Sequence, residues 1–160
     1  MTATTPIRFE VFGNPLPMPR HRFRVCKNAS GGNFARPYTT KEIMEWKALV
    51  YATALTHRPP SPMTGAVCVK LTFYIPRPKS HFGTGKNSET IKDRYRYAHH
   101  TSKPDIDNLA KPIYDALTRA GMWEDDRQIV VGMIFKGWSG TRRGKVAIEV
   151  ARVPDVRHSD

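Results

Sequence analysis

The spacing of hydrophobic and polar residues changes several times along this chain, and each change marks an element. Ile7, Phe9 and Val11 alternate with Arg8 and Glu10 until Gly13-Asn14-Pro15 interrupts, which predicts a strand over 7–12. After a proline-rich turn, Arg20, Arg22 and Arg24 alternate with His21, Phe23 and Val25, so an extended segment there carries three guanidinium groups on one face. Thr39-Thr40-Lys41-Glu42 has the spacing of a capping box. Ile43, Trp46, Val50 and Ala54 then recur at helical intervals, predicting a helix to about His57. Residues 58–65 hold three prolines and a glycine and read as a connector. Val67, Val69, Leu71, Phe73 and Ile75 alternate with Cys68, Lys70, Thr72 and Tyr74, the pattern of a strand with one buried face. No hydrophobic period runs through 76–104. From Ile106 to Ala120 the apolar positions return to helical spacing, with Gly121 as the stop and Pro112 predicting a kink. An apolar run from Gln128 to Lys136, a Gly140–Gly144 turn and an alternating stretch at Val146–Val150 predict a hairpin, and residues 154–160 read as a frayed tail. Strands, helix, strand, helix and hairpin in that order predict an α+β domain with a mixed or largely antiparallel sheet.

Length and composition narrow the classes of function. A chain of 160 residues is expected to form one domain, and 39% hydrophobic residues fit a packed core rather than a disordered chain. No apolar run is long enough to span a bilayer, and the opening residues lack the pattern of a secretory signal, so a cytoplasmic protein without a membrane partner is expected. Cys26 and Cys68 match neither a disulfide framework nor zinc spacing. Gly83-Thr84-Gly85-Lys86 lacks the remaining positions of a phosphate loop, so no nucleotide cofactor is expected.

Charge points to a polyanion. The net charge is +12, and neutralising phosphates with Lys or Arg releases condensed counterions. The segment 76–104 carries seven bases, two acids and interleaved aromatics, a composition suited to backbone contact and base stacking. Arg94, Arg96 and Lys103, with Arg20, Arg22 and Arg24, are the expected DNA contacts. Yet Asp105 to Asp126 holds six acids against two bases, a net of −4 in a chain whose remainder carries +16. Such an island opposes phosphate binding unless it holds a cation that the phosphate also touches.

Within the island, Asp105 and Asp107 share a face if the backbone is extended up to a helix that Asp107 caps. Lys111, one turn on, then stands beside them. Two carboxylates and a lysine suit magnesium-assisted phosphodiester hydrolysis. Asp126 is the candidate third ligand, but the helix to Ala120 and the return to Asp126 each span roughly 20 Å. It reaches the pair only by a straight return, through a kink at Pro112, or in a partner subunit.

The run Asp105-Ile-Asp107-Asn108-Leu109-Ala-Lys111, then Asp115-Ala-Leu117, Gly121 and Asp125-Asp126 ahead of an apolar strand, closely resembles the RusA family of Holliday junction resolvases. The opening from Phe9 to Arg24 is also similar. The resemblance implies a homodimeric endonuclease, often encoded by phages or prophages, that nicks four-way DNA junctions with Mg²⁺ or Mn²⁺ in recombination and repair. It implies that Asp105, Asp107 and Asp126 are the metal-binding catalytic acids, Lys111 the catalytic lysine and Asp125 a less critical neighbour. Two symmetric nicks need two equivalent sites, which independently favours a homodimer. A non-catalytic nucleic-acid binder and a nuclease for other branched DNA are the alternative readings.

Overall fold

A computed structural model describes residues 5–18 and 22–154; the side chains of 22–24 and 34–38 also lie outside the description, as does the tail from 155. In chain order the elements are β1 (Ile7–Phe12), β2 (Arg22–Lys27), β3 (Asn33–Tyr38), α1 (Lys41–Leu55), β4 (Val67–Ile75), α2 (Asp93–Arg96), α3 (Ile106–Ala120), β5 (Ile129–Trp138) and β6 (Lys145–Arg152). β1, β6, β4 and β5 form one sheet in that order, and β2 and β3 form a separate antiparallel pair. The fold is therefore α+β with a mixed sheet, as the order of periods predicts. No helix among the described residues is long and apolar enough to cross a membrane.

Strand β4 sits at the centre because it has the most apolar face to cover. Val67, Val69, Leu71 and Phe73 are fully buried under α1 and α3, which meet above the sheet through Trp46, Val50, Ile113 and Leu117. On the opposite face no helix among the described residues covers the strands. Arg8 pairs there with Glu149 at 3.1 Å and Lys145 with Glu10 at 2.7 Å, which keeps that face polar over β1 and β6.

Two sequence expectations change. β5 and β6 do not form a hairpin: β4 lies between them, parallel to β5 and antiparallel to β6. The glycine-rich turn is as compatible with a crossing over the end of β4 as with a tight hairpin, and burial of β4 decides between them. The cap of α1 is Thr40 rather than Thr39. Pro112 lies within an unbroken α3. Having no N–H, Pro112 leaves the Asn108 carbonyl without its helical donor, and the Met18 N–H donates to that carbonyl at 2.7 Å.

The segment 76–104 is ordered without periodicity. Short 3₁₀ turns at Lys79–His81 and Gly85–Asn87, the single turn α2 and a bridge between Phe82 and Ile91 shape it. Its anchor is Arg77, a buried guanidinium whose Nε donates to the Ser139 carbonyl at 2.9 Å and whose Nη1 donates to the Tyr95 carbonyl at 2.9 Å. His81 stacks on Tyr95, and both His81 and His100 pack against Trp138.

Burial and neighbouring cations hold the His81 and His100 imidazoles below their ordinary value of 6.5. The folded state therefore favours the neutral rings. Their contribution to anchoring is fully present above 6.5 and is lost as pH falls through the lower folded values. Acidification below that point is expected to shift Trp138 fluorescence before global unfolding, and His81→Phe with His100→Phe is expected to flatten the shift. An unchanged titration in that double variant would contradict the assignment.

Candidate active site

Helix α3 positions the acidic residues. Leu109, Ala110, Ile113, Ala116, Leu117 and Ala120 form its buried stripe, and Gly121 ends it with a φ of 78° that favours glycine. Its N-cap is Asp105, not Asp107: the Asp105 backbone is extended, its carbonyl accepts from the Leu109 N–H at 3.2 Å, and its side chain makes no capping bond. The helix begins at Ile106, directly after the extended Asp105. Asp107 consequently lies in the first turn, where the helix dipole favours a carboxylate.

Both carboxylates are exposed and largely uncommitted. Asp107 forms an ion pair with Lys111, whose Nζ lies 3.8 Å from Oδ2, and both side chains are more than half exposed. Solvent screening keeps such a pair weak. A pair of uncommitted carboxylates fits Mg²⁺ or Mn²⁺, since Mg²⁺ takes oxygen ligands, commonly one or two carboxylates completed by waters and a phosphate.

Asp126 is held elsewhere. Its Oδ1 accepts from the Thr118 hydroxyl and, at 3.0 Å, from Nε1 of the buried Trp123. Thr118 is eleven residues beyond Asp107 on the same face of α3, about 16 Å along the axis at 1.5 Å per residue. Residues 121–126 therefore do not return along the helix. The return begins with β5, because Thr118 and Trp123 retain Asp126 at the helix end. Among the described residues no three His, Cys, Asp or Glu side chains converge on one point. In this chain alone, Asp126 does not fit as a third ligand with Asp105 and Asp107.

Asp125 builds the turn. Its Oδ1 accepts from the Arg127 N–H, while Gln128 Oε1 accepts from the Glu124 and Asp125 N–H groups. Gln128 Nε2 donates to the carbonyls of Met63 and Gly65, fastening the turn to the connector after α1. The Asp125-x-x-Gln128 spacing carried that signal in the sequence. Thr118 and Trp123, read only as parts of a helix and a turn, had none.

The cationic candidates divide. Arg20 lies outside the described residues, and Arg22 and Arg24 lie on β2, opposite Tyr38 and Arg36. Arg94 and Arg96 are exposed on α2; Arg96 pairs with Asp93 at 3.0 Å, and the Arg94 guanidinium lies over the Tyr95 ring. Lys136, near the end of β5, donates to the carbonyls of Ser102 and Pro104 at 2.9 and 2.8 Å. That strap, with the Arg77 anchor at Ser139, brings Arg94, Arg96 and Lys103 to the end of the sheet where α3 begins. They and the Asp105–Asp107 pair occupy one end of the molecule.

Burial and the nearby Asp126 charge push the Tyr114 phenol above its usual range. Asp126→Asn is expected to lower the Tyr114 titration, measured as the difference in phenolate absorbance against Tyr114→Phe. No change would place Asp126 away from Tyr114.

Comparison with known proteins follows the same residues. A family model for endodeoxyribonuclease RusA matches residues 13–151. The chain is 33% identical over 142 residues to the uncharacterized protein YqaN of Bacillus subtilis (strain 168), covering 89% of this chain and 94% of YqaN. It is 39% identical over 49 residues to the crossover junction endodeoxyribonuclease RusA of Escherichia coli (strain K12), covering 31% of this chain and 40% of that protein. The corresponding protein of Shigella sonnei (strain Ss046) matches to the same extent.

Proposed function

Because the chain belongs to the RusA endodeoxyribonuclease family, we propose that it is a magnesium-dependent endodeoxyribonuclease that resolves four-way DNA junctions by paired, symmetric nicks. The observation that carries this reading is the uncommitted Asp105–Asp107 pair at the start of α3, with Lys111 one turn on, inside a chain of net charge +12. A pair of carboxylates interrupts the positive surface at that end, which is the arrangement a phosphodiester and a divalent cation need together.

Asp105 and Asp107 would hold the cation. Mg²⁺, or Mn²⁺ in its place, supplies charge neutralisation at the phosphodiester and lowers the cost of ionising water. Hydrolysis forms a bond from water oxygen to phosphorus and breaks the bond to the bridging oxygen, which leaves with a proton. Lys111 places an ammonium beside Asp107, where it offsets charge developing on the phosphate oxygens. Arg94, Arg96 and Lys103 hold the backbone at the same end, as sequence-independent contacts that position the strand. A homodimer presents two such sites to a nearly two-fold substrate.

Asp107→Asn keeps the side-chain shape and removes the charge. It is expected to reduce nicking of a synthetic four-way junction in Mg²⁺ by about 100-fold or more while junction binding persists. Binding abolished together with activity would make Asp107 structural. Tight binding by the wild-type protein without nicks in Mg²⁺ or Mn²⁺ would favour the non-catalytic reading, and nicks confined to flaps or forks would favour another branched substrate.

Replacing Arg94, Arg96 and Lys103 together by Ala is expected to weaken junction binding and to flatten its dependence on salt, by roughly one unit of log–log slope for each phosphate that is no longer neutralised. A slope equal to that of the wild-type protein would remove these residues from the DNA-binding surface.

A further inference from the structure

The side of the sheet away from α1 and α3 carries aromatic rings where a solvated face needs none. Phe12, Lys145, Tyr74 and Gly137 fall in one row across β1, β6, β4 and β5. Phe135 stands on the same side, opposite Thr72 and two residues before Gly137. Phe12 is 69% exposed and Phe135 51%. Gly137 sets no side chain beside Tyr74, and nothing lies within 4 Å of where its Cβ would be, so a planar group has room there.

Each ring carries a cation. Lys145 Nζ lies 5.7 Å from the centroid of Phe12 and 5.1 Å from that of Tyr74, and Lys70 Nζ lies 5.7 Å from that of Phe135. The acids on this face are already matched, Glu10 by Lys145 and Glu149 by Arg8. Lys70, in no ion pair among the described residues, leaves the balance positive. It also lines, with Arg8 and Thr72, a hollow of about 360 Å³ beside the rings.

The spacing of the rings selects among nucleic acids. Phe12 and Tyr74 are two strands apart, about 10 Å, and Tyr74 and Phe135 are one strand and two residues apart, about 8 Å. Neighbouring bases of a duplex strand lie about 3.4 Å apart along its axis, with their faces covered by one another. Rings so widely set take bases only from a strand that is unpaired and unstacked. Four-stranded sheets with exposed aromatics stack two or three bases of such strands.

The row of Phe12, Lys145 and Tyr74 also lies at the cationic end of the molecule. Lys145 opens β6 directly after the Gly140–Gly144 turn. That turn is joined to the 76–104 segment, since the Arg77 N–H donates to the Thr141 carbonyl at 3.3 Å and Arg142 Nη2 to the Ser88 carbonyl at 2.8 Å. A strand leaving the Asp105–Asp107 end past Arg94 and Arg96 meets exposed Arg142 and Arg143 before it reaches the rings.

We propose that the open face of the sheet is a platform for single-stranded DNA, on which bases stack against Phe12, Tyr74 and Phe135 while Lys70 and Lys145 meet the phosphates. The platform stands on the face itself; that its strand arrives from the acidic end rests on the nuclease reading given under Proposed function. Stacking is tolerant of sequence because every base has a π-face. The platform thereby distinguishes DNA with an unpaired arm from continuous duplex without reading bases.

The test is fluorescence anisotropy of a labelled oligothymidine of about twelve nucleotides with the full chain in chelator, so that no cation at Asp105 and Asp107 contributes. The wild-type protein is expected to bind it about 5-fold or more tighter than an abasic strand of the same length and charge. Phe12→Ala and Phe135→Ala are each expected to weaken that binding by about 5-fold or more, Phe12→Trp to retain it, and all three to bind paired duplex as the wild-type protein does. Equal binding of the abasic and thymidine strands, or thymidine binding that both alanine variants leave unchanged, overturns the platform whatever the activity. Loss in the alanine variants, in a protein that nicks no junction in Mg²⁺ or Mn²⁺, supports the platform and overturns the nuclease reading instead.

Discussion

Helix α3 behaves as a rod of fixed length, and every other feature of the acidic region is set by it. Its fifteen residues run unbroken through Pro112, with the Asn108 carbonyl satisfied by the Met18 N–H rather than by the helix. Thr118, which holds Asp126, follows Asp107 by about 16 Å along the axis of this continuous helix. Asp105 and Asp107 thereby stand at one end of a helix face and Asp126 at the other.

Electrostatics assigns different parts to the two ends. At the N-terminal end, two exposed carboxylates stand where the helix dipole favours negative charge, with cations of the 76–104 segment close by. At the C-terminal end, Asp126 is oriented by two hydrogen bonds, one from buried Trp123, before any ligand arrives. Asp105 and Asp107 are exposed, and an adjustable pair of carboxylates suits an ion that completes its oxygen shell with waters.

Much of the fold was legible in the sequence because apolar period reports burial directly. The alternation of Val67 to Ile75 and the helical stripe from Leu109 to Ala120 emerge as a buried strand and a buried helix face. Strand order was not legible: Gly140–Gly144 permits a hairpin or a crossing, and only competition for the covered position beside β6 selects β4. The order in 76–104 was equally hidden, since one buried arginine bonded to carbonyls leaves no periodic trace. Of the site, the Asp105-x-Asp107-x-x-x-Lys111 spacing stood out, while the cap shifted from Asp107 to Asp105 because either aspartate satisfies the same preference. The place of Asp126 depended on Thr118 and Trp123, whose roles exist only once the chain has folded.

Anomalous scattering from Mn²⁺ in crystals of the wild-type protein bears most directly on the claim that the carboxylates at the start of α3 hold a cation. A peak at Asp105 and Asp107 is the expected result. Mn²⁺ bound away from both would contradict it.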